Sequence, residues 1–212
     1  MFELSKVALD HVRARVVGQL RNIDEDLAKR VANGLAIDLP AKIKPAKAPV
    51  DMAPSDALSI QKDARPDIKG RKVAILFAEG SDKAAIDKLK KQIEQAGGST
   101  FLVAPKVGGI PVSNGTLKAD GQLAGSPSVL FDAVASVLTP AAAGKLTREG
   151  AAVQWFMDAF GHCKTIAHDE GSQALLDKAG VEPDDGVVAL ADFITIGTQR
   201  HWDREPKVRD LA

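Results

Sequence analysis

The stretch KVAILFA, residues 72–78, is the strongest constraint on the fold. It is apolar without alternation, so a strand there must be covered on both faces. A sheet with one wet face would show a polar residue at every second place. The next segment, GSDKAAIDKLKKQIEQAGG, changes to helical spacing. Ile86, Leu89 and Ile93 fall on one stripe, Ser81 is the expected cap, and Gly97-Gly98 is the stop. STFLVAP then predicts a second strand, completing a βαβ unit for which a right-handed crossover is the default.

Further along, GTLKADGQLAG reads as a hairpin-like excursion around Asp120-Gly121, and SVLFDAVASVL as a third central strand. REGAAVQWFMDAFGH predicts a helix with Val153, Phe156, Met157 and Phe160 on its apolar stripe. CKTIAH is expected to be a fourth strand, SQALLDKAG a helix ending at Gly180, and DFITIGT a late strand. Strands alternating with helices over residues 71–212 predict an α/β fold. It should be a flavodoxin-like, doubly wound, mainly parallel sheet with helices on both faces.

Residues 1–38 show helical periodicity twice. Val12, Val16 and Leu20 share one face, and Leu27 and Val31 another, with RNIDED as the break. Asp24 suits an N-cap, Glu25 and Asp26 the positive end of the helix dipole, and Gly34 the C-terminal end. Two such short helices cannot bury both faces alone, so they dock on the following domain or lack a partner. Residues 39–70 carry Pro40, Pro45, Pro49, Pro54 and Pro66. That density predicts an extended linker or a strap, made locally basic by Lys42, Lys44 and Lys47.

Composition narrows the function. The chain has 28 basic and 28 acidic residues, which gives no overall attraction to nucleic acid or an anionic membrane. Cys163 is the single cysteine, so no internal disulfide forms and a reducing, cytoplasmic setting is expected. The charged start does not read as a signal peptide, and no apolar run approaches the ~20 residues of a membrane span. The chain contains no tyrosine.

The candidate chemical sites are sparse. FAEGSD follows the first strand, but it has neither dinucleotide-loop nor phosphate-loop spacing; Glu79 is its one acid–base candidate. The strand-to-helix corner carries His168, Asp169, Glu170 and Ser172. It lacks the G-x-S-x-G elbow of a hydrolase, and a carboxylate at its apex would repel an oxyanion. Asp169 and Glu170 suit a helix N-terminus instead. His162, Cys163 and His168 form no closed metal set, and Cys163 is expected to be a packed or partly exposed thiol at the wrong end of its strand. Trp155 and Trp202 read as packing residues, and TQRHWDREPK as a mixed-charge tail folded back on the domain.

The segments TIAHDEGSQALLDKAGV, FDAVASVL and KVAILFAEGSDKAAIDKLKKQIEQAG resemble the class I glutamine amidotransferase-like superfamily. Its pattern places a cysteine at the elbow, followed by LL and AG. Leu175-Leu176 and Ala179-Gly180 match, but the elbow falls on Asp169 or Glu170. TPAAAG stands where a Gly-Gly pair is expected, and Glu79 corresponds to an acid with no thiol to serve. A resemblance over nearly the whole chain is more specific. HVRARVVGQLRNIDEDLAKRVANGL resembles the end of a haem catalase core. PDIKGRKVAILFAEG, HCKTIAHDEGSQALLDKAGV and FITIGTQRHWDRE resemble the extra C-terminal domain of large-subunit catalases.

That resemblance implies a non-catalytic domain that stabilises a tetrameric parent, whose activity is hydrogen peroxide dismutation. It also implies chaperone-like behaviour of the isolated domain toward unfolded client proteins. Val12, Val16, Leu20, Leu27 and Val31 are then the candidate client contacts. Haem would lie in the parent's core, where a tyrosine binds the iron; this chain has neither that core nor a tyrosine, so no haem, metal or catalytic residue is assigned to it. Two alternatives stay open. One is a residual amidotransferase-like enzyme using Glu79 with His168, and the other a flavodoxin-like module for a small ligand.

Overall fold

The computed structural model describes residues 1–65 and 67–208. It divides into two compact units, Met1–Ser59 and Ile60–Ala212.

In the first unit a short helix α1 (Phe2–Ser5) precedes α2 (Asp10–Leu20) and α3 (Glu25–Gly34). Asp24 caps α3 as its spacing predicts, accepting a hydrogen bond from the Leu27 amide at 2.7 Å. The helices close on a small cluster of Val17, Ala28, Val31 and Ala32. The α3 stop differs from expectation: Gly34 is still helical, and Ala36 takes the left-handed turn at φ 54°. Part of the proline-containing segment is a strap across α2. The Ile43 amide donates to the Gly18 carbonyl, and Arg21 and Asn22 donate to the Pro40 and Ile43 carbonyls. Gly18 permits the approach, since a Cβ there would lie 2.8 Å from the Ala41 oxygen.

The second unit is built on a six-stranded parallel sheet of order β5-β2-β1-β6-β7-β8. The strands are β1 (Lys72–Phe77), β2 (Ser99–Ala104), β5 (Gly121–Gln122), β6 (Ala133–Val137), β7 (Ile166–His168) and β8 (Val187–Ala189). Apart from the edge pair β5, this is the 2-1-3-4-5 order of flavodoxin-like sheets. The unalternating β1 sequence has its predicted consequence. Val73, Ile75 and Phe77 pack under α4 (Lys83–Gln95), while Ala74 and Leu76 pack on the opposite face. That second face is covered by α5 (Pro140–Leu146), α6 (Gly150–Gly161) and α7 (Gln173–Lys178).

Several local expectations need correction. Asp82, not Ser81, caps α4; Ser81 is buried, accepts from the Ala78 amide and donates to the Val137 carbonyl at 2.6 Å, bridging β1 and β6. The hairpin is β3 (Gly109–Val112) with β4 (Gly115–Lys118), and Asp120-Gly121 instead leads into the parallel pairing of β5 with β2. Asp120 drives that outcome, because its carboxylate accepts from the Leu102 amide and its own amide donates to the Leu102 carbonyl, each at 2.8 Å. The buried stripe of α6 is Ala152, Trp155, Phe156, Ala159 and Phe160, with Met157 36% exposed, so the predicted stripe was rotated by about one residue. DFITIGT is not a strand. Phe193–Ile196 forms the short helix α8, ending at Gly197 with φ 70°, while β8 fills the sheet edge before it. A short apolar run carries no period that separates the two outcomes. Helix α5, absent from the sequence expectations, is capped by Thr139 and opened by Pro140.

Candidate functional site

Chain order reverses between β1 and β6, whose carboxyl ends are the usual place for a ligand crevice in such sheets, and β7 lies beside β6. Ser136 and His168 are register partners at the ends of β6 and β7. Just beyond them the chain turns through Asp169 and a short 3-10 turn, Glu170–Ser172, into α7.

Asp169 is the centre of this corner. One carboxylate oxygen accepts from the Leu138 amide at 2.9 Å. The other accepts from the Ser172 amide at 3.1 Å and from the Ser172 hydroxyl at 2.6 Å. The carboxylate therefore caps the turn and ties it to the end of β6. Burial pushes the Asp169 carboxyl above its ordinary range, while the donors from Ser172 and Leu138 pull it back. Its backbone is relaxed and extended, at φ −91° and ψ 167°, rather than strained.

Gly171 completes the tie. A Cβ there would lie 1.9 Å from the Leu138 carbonyl oxygen, so only glycine lets the turn approach β6 so closely. His168 is half-buried, with Nδ1 3.0 Å from the Asp169 carbonyl oxygen, and Glu170 is exposed. Ser172 is fully buried, and its hydroxyl donates its proton to Asp169. Glu79 is exposed on the turn after β1, and no hydrogen bond joins it to His168 among the described residues. The corner thus unites Asp169 and Ser172 and leaves Glu79 apart from His168.

The five apolar residues singled out in the helical unit are divided by their packing. Val31 is buried, Val12, Val16 and Leu20 are half-buried, and Leu27 is 40% exposed. Phe2, Leu9 and Ile23 are more exposed than any of them.

The amino-terminal end of the sheet, opposite the corner, is covered by the tail. Arg204 is 2% exposed, pairs in two places with Asp184, donates to the Lys164 carbonyl and lies over the Phe160 ring at 4.5 Å. Burial alone would raise the Asp184 carboxyl, but the Arg204 guanidinium and the Gly186 amide hold it below its ordinary value. Thr198 and Arg200 donate to the Asp67 and Asp132 carbonyls, and the His201 ring lies 3.0 Å from the Thr165 hydroxyl. Beneath this tail Lys164 donates to the Ser128 and Phe131 carbonyls, and burial pulls its ammonium down to about 8. Cys163 is buried at φ 55°, and burial pushes its thiol up, against the thiolate a nucleophile needs.

No tyrosine is present, and among the described residues no three His, Cys, Asp or Glu side chains are grouped to hold a metal ion. No helix among the described residues is long and apolar enough to cross a membrane.

Residues 69–206 match the family described as the C-terminal domain found in long catalases. The chain belongs to that family. Residues 1–35 match a second description, catalase-related immune-responsive. Catalase C of Rhizobium meliloti (strain 1021) is 40% identical over 222 residues, covering 98% of this chain and 31% of that protein. Catalase HPII of Pseudomonas aeruginosa is 36% identical over 220 residues, covering 99% of this chain and 31% of that protein. Catalase-B of Dictyostelium discoideum is 32% identical, with 99% and 32% covered. The chain thus spans about a third of the length of these relatives, and its long-catalase C-terminal domain carries the corner at Asp169.

Proposed function

We propose that this chain is a non-catalytic accessory domain of a haem catalase, which stabilises a parent that dismutates hydrogen peroxide. The observation that carries the reading is the Asp169 carboxylate. It occupies the amide donors of Leu138 and Ser172 with an anion of the protein's own, where acyl-transfer chemistry would need those donors free for an oxyanion. A nucleophile is lacking too, since Ser172 is buried and bonded to Asp169, and Cys163 lies at the other end of its strand. Haem and the residues that position peroxide would belong to the parent's core, and the partners of the domain are that core and the other subunits of its tetramer. A cytoplasmic setting accords with the single cysteine.

Isolated from a parent, the domain would act as a holdase for unfolded chains. Exposed Phe2, Leu9, Ile23 and Leu27 supply apolar surface for this, and the half-buried Val12, Val16 and Leu20 extend it. The stabilising role is tested by deleting the corresponding segment from the Rhizobium meliloti Catalase C. Peroxide turnover per haem at 25 °C should stay within about twofold, while the half-life at an inactivating temperature falls about tenfold or more. An unchanged half-life would overturn the stabilising role.

A further inference from the structure

Beside the Asp169 corner lies a second cleft, of about 570 Å³, between the turn after β1, the loop from β2 into β3, and α5. This volume falls in the range of small-molecule sites. Ile110, Ala142 and Leu146, all buried, form an aliphatic floor. Four exposed charges stand at the walls: Lys106 and Lys145, Glu79 and Glu149. Among the described residues none of these four side chains has a hydrogen bond or ion pair, so each is available to a ligand.

The lining selects the ligand class. No aromatic ring lines the cleft, so a flavin or nucleobase would find nothing to stack on. Two carboxylates repel a phosphate that two ammonium groups attract. A molecule carrying one anion and one cation next to an aliphatic group meets every part of the lining with its complement. We propose that the cleft enclosed by Glu79, Lys106, Lys145 and Glu149 binds a free α-amino acid with an aliphatic side chain. The lysines hold its carboxylate, the glutamates its ammonium, and the floor its side chain. No bond is made or broken there. The site is independent of the accessory-domain reading.

Isothermal titration of the full chain with L-leucine at neutral pH tests this, with hexanoate and pentylamine as single-charge controls. Leucine should bind saturably at about 0.1–1 mM. Each control should be at least about fivefold weaker, and Lys145→Gln and Glu79→Gln should each weaken leucine by a similar factor. Both residues are exposed, so melting curves of the variants should overlay the parent curve. No saturable heat with leucine up to about 20 mM would overturn the proposal. So would hexanoate or pentylamine binding as tightly as leucine, or leucine binding untouched by both substitutions.

Discussion

Asp169 accepts a hydrogen bond from the Leu138 amide at 2.9 Å, which joins the β7–α7 corner to the end of β6 across 31 residues of sequence. Asp169→Ala removes this tie and the cap on Ser172 together. It should destabilise the domain by about 1–2 kcal/mol, read from the urea midpoint at unchanged slope. Asp169→Asn keeps an acceptor and should lose less. A neutral Asp169→Ala would mean that the tie carries no stability.

Gly171 presents a steric test of the same corner. Gly171→Ala must displace the turn from the Leu138 carbonyl, at a cost of about 2 kcal/mol or more. Gly144→Ala in α5, where an added Cβ meets nothing within 4 Å, is the control and should not destabilise. Thermal melts of the two variants compare them directly.

Arg204 anchors the tail through a nearly buried guanidinium. Arg204→Met leaves Asp184 without its partner and strips a donor from the Lys164 carbonyl, so it should cost about 3 kcal/mol in denaturant unfolding. Lys207→Met removes only the exposed pair with Glu182 and should leave stability nearly unchanged.

Lys164 sets an alkaline pH dependence. Its ammonium is pulled from 10.5 to about 8 in the folded chain, so above pH 8 the folded state binds fewer protons than the unfolded. Stability should therefore rise from about pH 8 toward 10.5, and Lys164→Met should flatten that rise. The half-buried His201 ring acts in the same sense at lower pH. Burial depresses its value below 6.5, so stability should fall as pH drops through that region. Unfolding free energies measured from pH 5 to 10.5 test both slopes.

Much of the sheet was legible because burial on both faces leaves apolar runs without alternation, unbroken in residues 73–78 and interrupted only by Ser136 in residues 133–138. Capping was legible where one side chain decides it, as at Asp24. At Ser81 two small polar residues competed, and the buried one was used to join β1 to β6 while Asp82 took the helix. Phe193–Ile196 departs from the strand its composition suggests because the sheet edge is already filled by β8, a tertiary condition absent from the local pattern. The composition of the corner was plain in HDEGS, but its tie to Leu138 was not. The partner is distant in sequence and offers a backbone amide, which leaves no mark on residue identity. The cleft formed by Glu79, Lys106, Lys145 and Glu149 was equally hidden, since three separate segments contribute to it.

Protection of unfolded chains by the proposed accessory domain is tested most directly by light scattering from a heat-labile client enzyme. The chain should suppress client aggregation at about equimolar ratio, beyond an inert globular protein of equal mass. Replacing exposed Phe2, Ile23 and Leu27 together by serine should remove most of that suppression. Scattering no lower than with the inert control would contradict the protective role.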